Sequence, residues 1–262
     1  LDKVKDLWVG YSTHVSIYSQ TIGVVTTTTV GTQNLVLYFT SEHNANVTVE
    51  IPSTGWKRTY SVIANSVTES DAIPKTGTDD VRLATEGKSK KGIHITSDVP
   101  IVAYAHNYDG SVSGATLLFP TNTLGKDYYT LGFTQTSNNA FSYPFCFVIA
   151  TEDNTVVEIT PSANTQTRQA GVIYYDTLQK GEILNLLGQL NGTSGGNNVG
   201  VDLTGTRIRS VSGSSNGCKK IAVFCGAGKL NIRCSTTGGN SADNTIQQAF
   251  PSSAWGKKYV TI

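Results

Sequence analysis

Charge is scarce in this chain. Only 15% of its 262 residues are Asp, Glu, Lys or Arg, and 20 basic against 19 acidic residues leave a formal net charge of +1. No basic stripe is present for nucleic acid and no polybasic arm for anionic lipid. Long apolar runs are also missing. The longest are of strand length, far short of the roughly 20 residues that a spanning helix needs, so direct membrane insertion is not expected. No segment keeps a 3.6-residue period. The best candidate, 175–187, is interrupted by Gly181 and reads as two short strands around a Lys180-Gly181 turn. Methionine is absent, and no leader-like run is found. The chain is therefore expected to be a mature piece of a longer polypeptide. The motifs of common catalytic centres are missing too. There is no His-Glu-x-x-His, Gly-x-Ser-x-Gly occurs only within the Gly- and Ser-rich stretches 192–196 and 213–217 with no helical pattern after it to make a nucleophile elbow, and no two of His14, His43, His94 and His106 fall within four residues of each other. The expectation is a protein that is not an enzyme and carries no cofactor.

Repetition is the main thing present. Phe119-Pro120-Thr121-Asn122-Thr123-Leu124-Gly125-Lys126 returns as Phe250-Pro251-Ser252-Ser253-Ala254-Trp255-Gly256-Lys257. The strand-like run from Gly92 to Ala105 returns from Gly205 to Cys225, again at a separation of about 120 to 130 residues. Two further pairs follow suit. The apolar Leu35–Phe39 precedes the alternating Asn46–Ile51, and the apolar Phe145–Ile149 precedes Thr155–Ile159. Alternation marks a strand with one wet face, and a continuous apolar run marks a strand buried on both. The polar turns between them suggest one hairpin used twice. The fold class is therefore all-β, with two tandem, internally duplicated β-sandwich modules. Residues 1–135 form the first and 136–262 the second, the latter leading on to further modules. Gly188–Gly200 reads as an exposed loop.

Three of the four cysteines, Cys218, Cys225 and Cys234, lie within 17 residues, and the fourth is Cys146. Their spacing misses the tight Cys-x2–4-Cys pair of structural zinc, and no metal is expected there. An even count suits two disulfides in an oxidising compartment. Cys146–Cys225 and Cys218–Cys234 are the favoured pairs, with Cys225–Cys234 and free thiols as alternatives.

The binding candidates are Trp56, near a strand end, and His106, Asn107, Tyr108 and Asp109, where a strand runs out into a loop. Each also has a structural reading, as rim packing or as a capped strand end. His94, between two isoleucines, is expected to face solvent. Glu42 and Asn44 in one turn, with Glu152, Asp153 and Asn154 in the other, offer oxygen ligands for calcium, or else local turn bonds to backbone amides.

The Ile95–Ile101 core, the Ala150–Pro161 run and both Phe-Pro phrases resemble the IgG Fc-binding protein N-terminal domain family. That resemblance implies a secreted or surface protein of adhesive character, with no catalytic residues to carry over. The composition and the resemblance lead to one expectation: an extracellular or cell-surface adhesion module that binds a protein or glycan through its loops. A structural spacer within a large surface protein and a carbohydrate-binding or carbohydrate-active domain stand as alternatives. Further domains of the parent chain are expected partners.

Overall fold

The computed structural model describes residues 5–21, 24–213, 217–231 and 242–256. Among these residues there are strands and short 3-10 turns but no α-helix, and every strand pairing is antiparallel.

Four sheets carry the core. Sheet I is ordered β1 (Asp6–Val9), β9 (Ile93–Ser97), β5 (Ala45–Ile51), β6 (Trp56–Val62). Sheet II is ordered β11 (Ser113–Leu117), β10 (Val102–Tyr108), β4 (Asn34–Thr40), β7 (Val67–Glu69). Sheet III follows the order of sheet I, with β12 (Asp127–Tyr129), β20 (Arg207–Val211), β15 (Thr155–Thr160) and β16 (Tyr174–Leu178). Sheet IV follows sheet II, with β22 (Asp243–Gln248), β21 (Ile221–Leu230), β14 (Pro144–Ala150) and β17 (Ile183–Leu187), and then adds β8 (Gly87–Ser89) at its edge. A small sheet of β13 (Thr136–Ser137), β19 (Asn197–Gly200) and β18 (Leu190–Ser194) and the pair β2 (Tyr18–Thr21) with β3 (Val24–Val30) complete the fold.

Within sheets I to IV, β8 apart, the order of strands along the chain is thus matched between the two halves, while β2, β3, β13, β18 and β19 stand outside the match. The repeated phrases fold alike as well. Pro120 (φ −60°, ψ 144°) and Pro251 (φ −63°, ψ 147°) each open a 3-10 turn, over Thr121–Thr123 and Ser252–Ala254. Proline's fixed φ presets the start of each turn.

The polar segments at 41–44 and 151–154 do not close hairpins. Each carries the chain from one sheet to the facing one, β4 to β5 and β14 to β15. The turn chemistry is the same in both cases, so a polar turn alone does not distinguish a hairpin from a crossing between sheets. The 188–200 segment is likewise corrected. It is a hairpin of β18 and β19, turned by Gly195 and Gly196 at positive φ.

Burial explains the sequence patterns. In β5, Ala45, Val47, Val49 and Ile51 are buried and the residues between them face outward. Every residue of β14 is buried, because sheet IV is covered on both faces. Cys146, Val148 and Ala150 pack with Val157 and Ile159 of sheet III. Phe145, Phe147 and Ile149 join the core that also holds Leu7, Leu37 and Val47 of the first half. Burial of each such Phe or Ile stabilises the fold by roughly 1.5–3 kcal/mol.

Three further ties join the halves. Strand β8, from the first half, hydrogen-bonds to β17. Nearby, the Glu86 carboxylate, 2% exposed, meets Arg168 Nη1 at 3.0 Å and accepts bonds from the Leu187 amide (2.9 Å) and the Thr165 hydroxyl (2.7 Å). A buried carboxylate with this many partners is destabilising to break. Also, β12 lies before residue 135 yet pairs with β20 of the second set.

Cys146 and Cys225 stand directly opposite each other on β14 and β21, but both are free thiols, as is Cys218. The expected Cys146–Cys225 bond is therefore corrected. Opposed residues of an antiparallel pair hold their Cβ atoms roughly 4.5–5.5 Å apart, wider than the roughly 3.8 Å a disulfide takes. The two thiols instead fill the core as small apolar groups. Burial pushes the Cys225 thiol up to about 11 and raises that of Cys146. Cys234, and with it the Cys218–Cys234 pair, lies outside the described residues.

Candidate functional site

Alternation along β10 sets the most distinctive surface. Ala103, Ala105 and Asn107 point inward and are buried, while Val102, Tyr104, His106 and Tyr108 point out. Strand pairing then brings further rings alongside. Tyr104 is opposite Tyr38 of β4 on one side and Leu117 of β11 on the other. His106 stacks on Tyr108 with centroids 4.3 Å apart and tilts against Tyr38 at 5.8 Å. Its Nε2 is 2.8 Å from the Ser113 hydroxyl, and its Nδ1 is 3.4 Å from the Tyr38 hydroxyl. Partial burial holds the His106 imidazole below its ordinary value, and burial, then Glu69, raises the Tyr38 phenol. The face is thus aromatic and edged with hydroxyls, with the exposed Glu69 carboxylate opposite Tyr38. Val102 and Tyr104 are each 43% exposed on it.

Of the four residues 106–109, the structure brings only His106 and Tyr108 onto this face. Asn107 is buried, and its Oδ1 accepts a bond from Gln33 Nε2 at 3.4 Å in the interior. Asp109 caps the loop. Its carboxylate accepts bonds from the Ser111 and Val112 amides (2.8 and 3.0 Å) and from the Ser16 hydroxyl. Burial raises its pKa, but these bonds outweigh burial and the carboxyl lies below its usual range. Trp56 lies apart, on sheet I, half-buried against the core with the Arg58 guanidinium 5.4 Å from its ring.

The turn carboxylates and amides bond locally. Asn44 Oδ1 accepts the Ala64 amide at 2.9 Å, Asp153 Oδ1 accepts the Lys180 amide at 2.9 Å, and Asn154 bonds the Gln179 side chain. Glu42 and Glu152 are exposed. Among the described residues no group of three His, Cys, Asp or Glu side chains is placed to hold a metal.

His94 does not face solvent. It stacks on Trp8 at 4.2 Å and lies between Asp6 (2.9 Å) and Glu50 (3.2 Å). The Lys180 ammonium, 5.9 Å from the Trp8 ring, closes over them from the second half. Burial raises the Asp6 carboxyl, yet the bonds from His94 and Thr121 bring it below the usual range.

Sequence reasoning missed Tyr38, Tyr104, Val102 and Leu117 as members of one surface. The signal within β10 was legible: small residues alternate with Val102, Tyr104, His106 and Tyr108. What Tyr38 and Leu117 add depends on strand register, which that alternation does not give.

An all-β scaffold whose open surface is an aromatic sheet face has the make-up of a binding protein. The comparison with protein families agrees. Residues 114–262, more than half the chain, match the family described as IgGFc binding protein, and the chain belongs to that family. The family is one of binding domains and not of enzymes. No curated protein and no solved structure matches the chain. No helix among the described residues is long and apolar enough to cross a membrane.

Proposed function

We propose that this chain is an extracellular or cell-surface adhesion module that recognises protein or glycan without catalysis, and that the outer face of sheet II is its recognition surface. On this reading residues 1–135 and 136–262 are two copies of one β-sandwich module, fused through sheet IV. The observation that carries the proposal is the row of Tyr104, His106 and Tyr108 with Tyr38 beside it. Rings with polar tips supply large contact area at small entropic cost, for a sugar face or for a protein surface. The expected use of loops gives way here to a sheet face, because the loop residue Asp109 is already occupied with capping its own turn.

The family's name makes immunoglobulin Fc the first ligand to try, beside a glycan array. Tyr104→Ala and Tyr108→Ala are expected to weaken retention on whichever ligand binds by at least about 30-fold, the scale of an aromatic hot spot. Retention unchanged in both variants would overturn the reading.

A further inference from the structure

Three times in this chain an arginine lies over a tyrosine ring while pairing with a carboxylate. Arg82 stands 5.2 Å from the Tyr18 ring and bonds Asp80 at 2.8 Å. Arg168 stands 5.6 Å from the Tyr174 ring and bonds Glu86 at 3.0 Å. Arg207 stands 5.6 Å from the Tyr129 ring and bonds Asp127 at 2.8 Å. In each trio the ring face attracts the guanidinium and the carboxylate holds its N–H groups.

The outer face of sheet II holds the tyrosines and the carboxylate without the arginine. Leu117, Tyr104, Tyr38 and Glu69 lie side by side across β11, β10, β4 and β7. Directly opposed residues keep their Cβ atoms roughly 4.5–5.5 Å apart, so the Glu69 carboxylate stands beside the Tyr38 ring. Its charge acts on the whole cluster: after burial, it raises the Tyr38 phenol, and it opposes the lowering of the His106 imidazole that burial causes. That imidazole brings no cation at neutral pH. The surroundings add none either. Segments 34–44, 63–73 and 100–118, which build sheet II and its flanking turns, contain Glu42, Glu69, Asp71 and Asp109 and no lysine or arginine. Asp109 is engaged in its own turn, but Glu42, Glu69 and Asp71 are exposed and enter no ion pair among the described residues.

We infer that the outer face of sheet II takes a cationic side chain presented by a protein partner, an arginine before a lysine, seated on the Tyr38 and Tyr104 rings and paired with Glu69. The inference rests on the reading of this face as the recognition surface, and it narrows the ligand from protein or glycan to a protein with an exposed basic residue. Arginine fits better than lysine because its planar guanidinium stacks on a ring while its N–H fork meets a carboxylate. A neutral sugar would use the rings but leave Glu69 covered and unpaired, which is costly. An anionic surface would meet carboxylates alone.

The test titrates the full chain with two capped tripeptides, acetyl-Gly-Arg-Gly-amide and acetyl-Gly-Gln-Gly-amide, and follows the Tyr and His ring signals by NMR. The arginine peptide is expected to shift the Tyr38, Tyr104 and His106 signals saturably in the millimolar range, at least about tenfold more tightly than the glutamine peptide. Added salt should weaken it. Glu69→Gln, at an exposed position, is expected to weaken the arginine peptide at least about fivefold with its unfolding midpoint unchanged, and Glu152→Gln, an exposed carboxylate of the second half, to leave it as in wild type. Equal binding of the two peptides, no shift from the arginine peptide, or no effect of Glu69→Gln would overturn the inference. Lactose shifting the same rings where the arginine peptide does not would refute the cationic partner and leave the recognition face standing. Unchanged ligand retention in Tyr104→Ala and Tyr108→Ala would refute the face itself.

Discussion

Two sheet faces in this molecule have the same register and opposite fates. On sheet IV, Phe147 and Phe224 are directly opposed, stacked at 5.0 Å and fully buried. On sheet II the matching pair is Tyr38 and Tyr104, with Tyr104 43% exposed. Thr40 likewise stands where Ile149 stands, and Val67 where Ile183 stands. The backbone framework is common. Among the differences are a hydroxyl on each ring, a threonine for an isoleucine, His106 where Gly226 stands and Glu69 where Asn185 stands, polar changes that suit an aromatic face to water without removing its contact area. Sheet IV spends its face on joining the halves, and sheet II keeps its face open.

Matched substitutions give the largest expected contrast. Phe224→Ala should cost about 3–5 kcal/mol, the range for emptying a buried aromatic site. Tyr104→Ala, at the equivalent register, should cost under about 1 kcal/mol, as for surface positions away from special features. Chemical denaturation of the two variants checks this; equal losses would mean that the faces are not differently covered. A smaller contrast concerns acid. Arg209 holds the Glu158 carboxyl below its ordinary value of 4.5, mainly through a paired hydrogen bond and with help from the Tyr175 hydroxyl. A carboxyl lowered on folding adds stability that is fully present above that value and is lost as pH falls through the lower, folded one. Arg209→Ala should therefore drop the unfolding midpoint by a few degrees at pH 6, and the gap to wild type should narrow progressively as pH falls below 4.5. In the first half Thr48 and Thr96 occupy this pairing, so Thr96→Ala should show no such closing gap.

Much of this fold is readable from the residues. The alternation of Asn46–Ile51 and the unbroken apolar run Phe145–Ile149 announce their burial directly, and the two Phe-Pro phrases fold into the same turn. The limits are physical. A run apolar on both faces states that both are covered, but not that one cover is the other half of the chain. A polar turn serves a hairpin and a sheet crossing equally, which is why 41–44 and 151–154 read as hairpins. The strand pattern makes Cys146 and Cys225 neighbours, and they are opposed, but opposition in register is not yet bonding distance for sulfur. On the outer face of sheet II, His106 and Tyr108 are legible from their strand end. Tyr38 and Leu117 reach it from other strands, through pairings that local pattern does not contain.

The most direct test of the central contrast is hydroxyl-radical footprinting of the dilute chain, read by mass spectrometry residue by residue. The account predicts oxidation at Tyr104, with Trp8, Phe147 and Phe224 spared. Oxidation of Phe147 and Phe224 at rates similar to Tyr104 would contradict it, because the sheet IV face would then be as open as the face of sheet II.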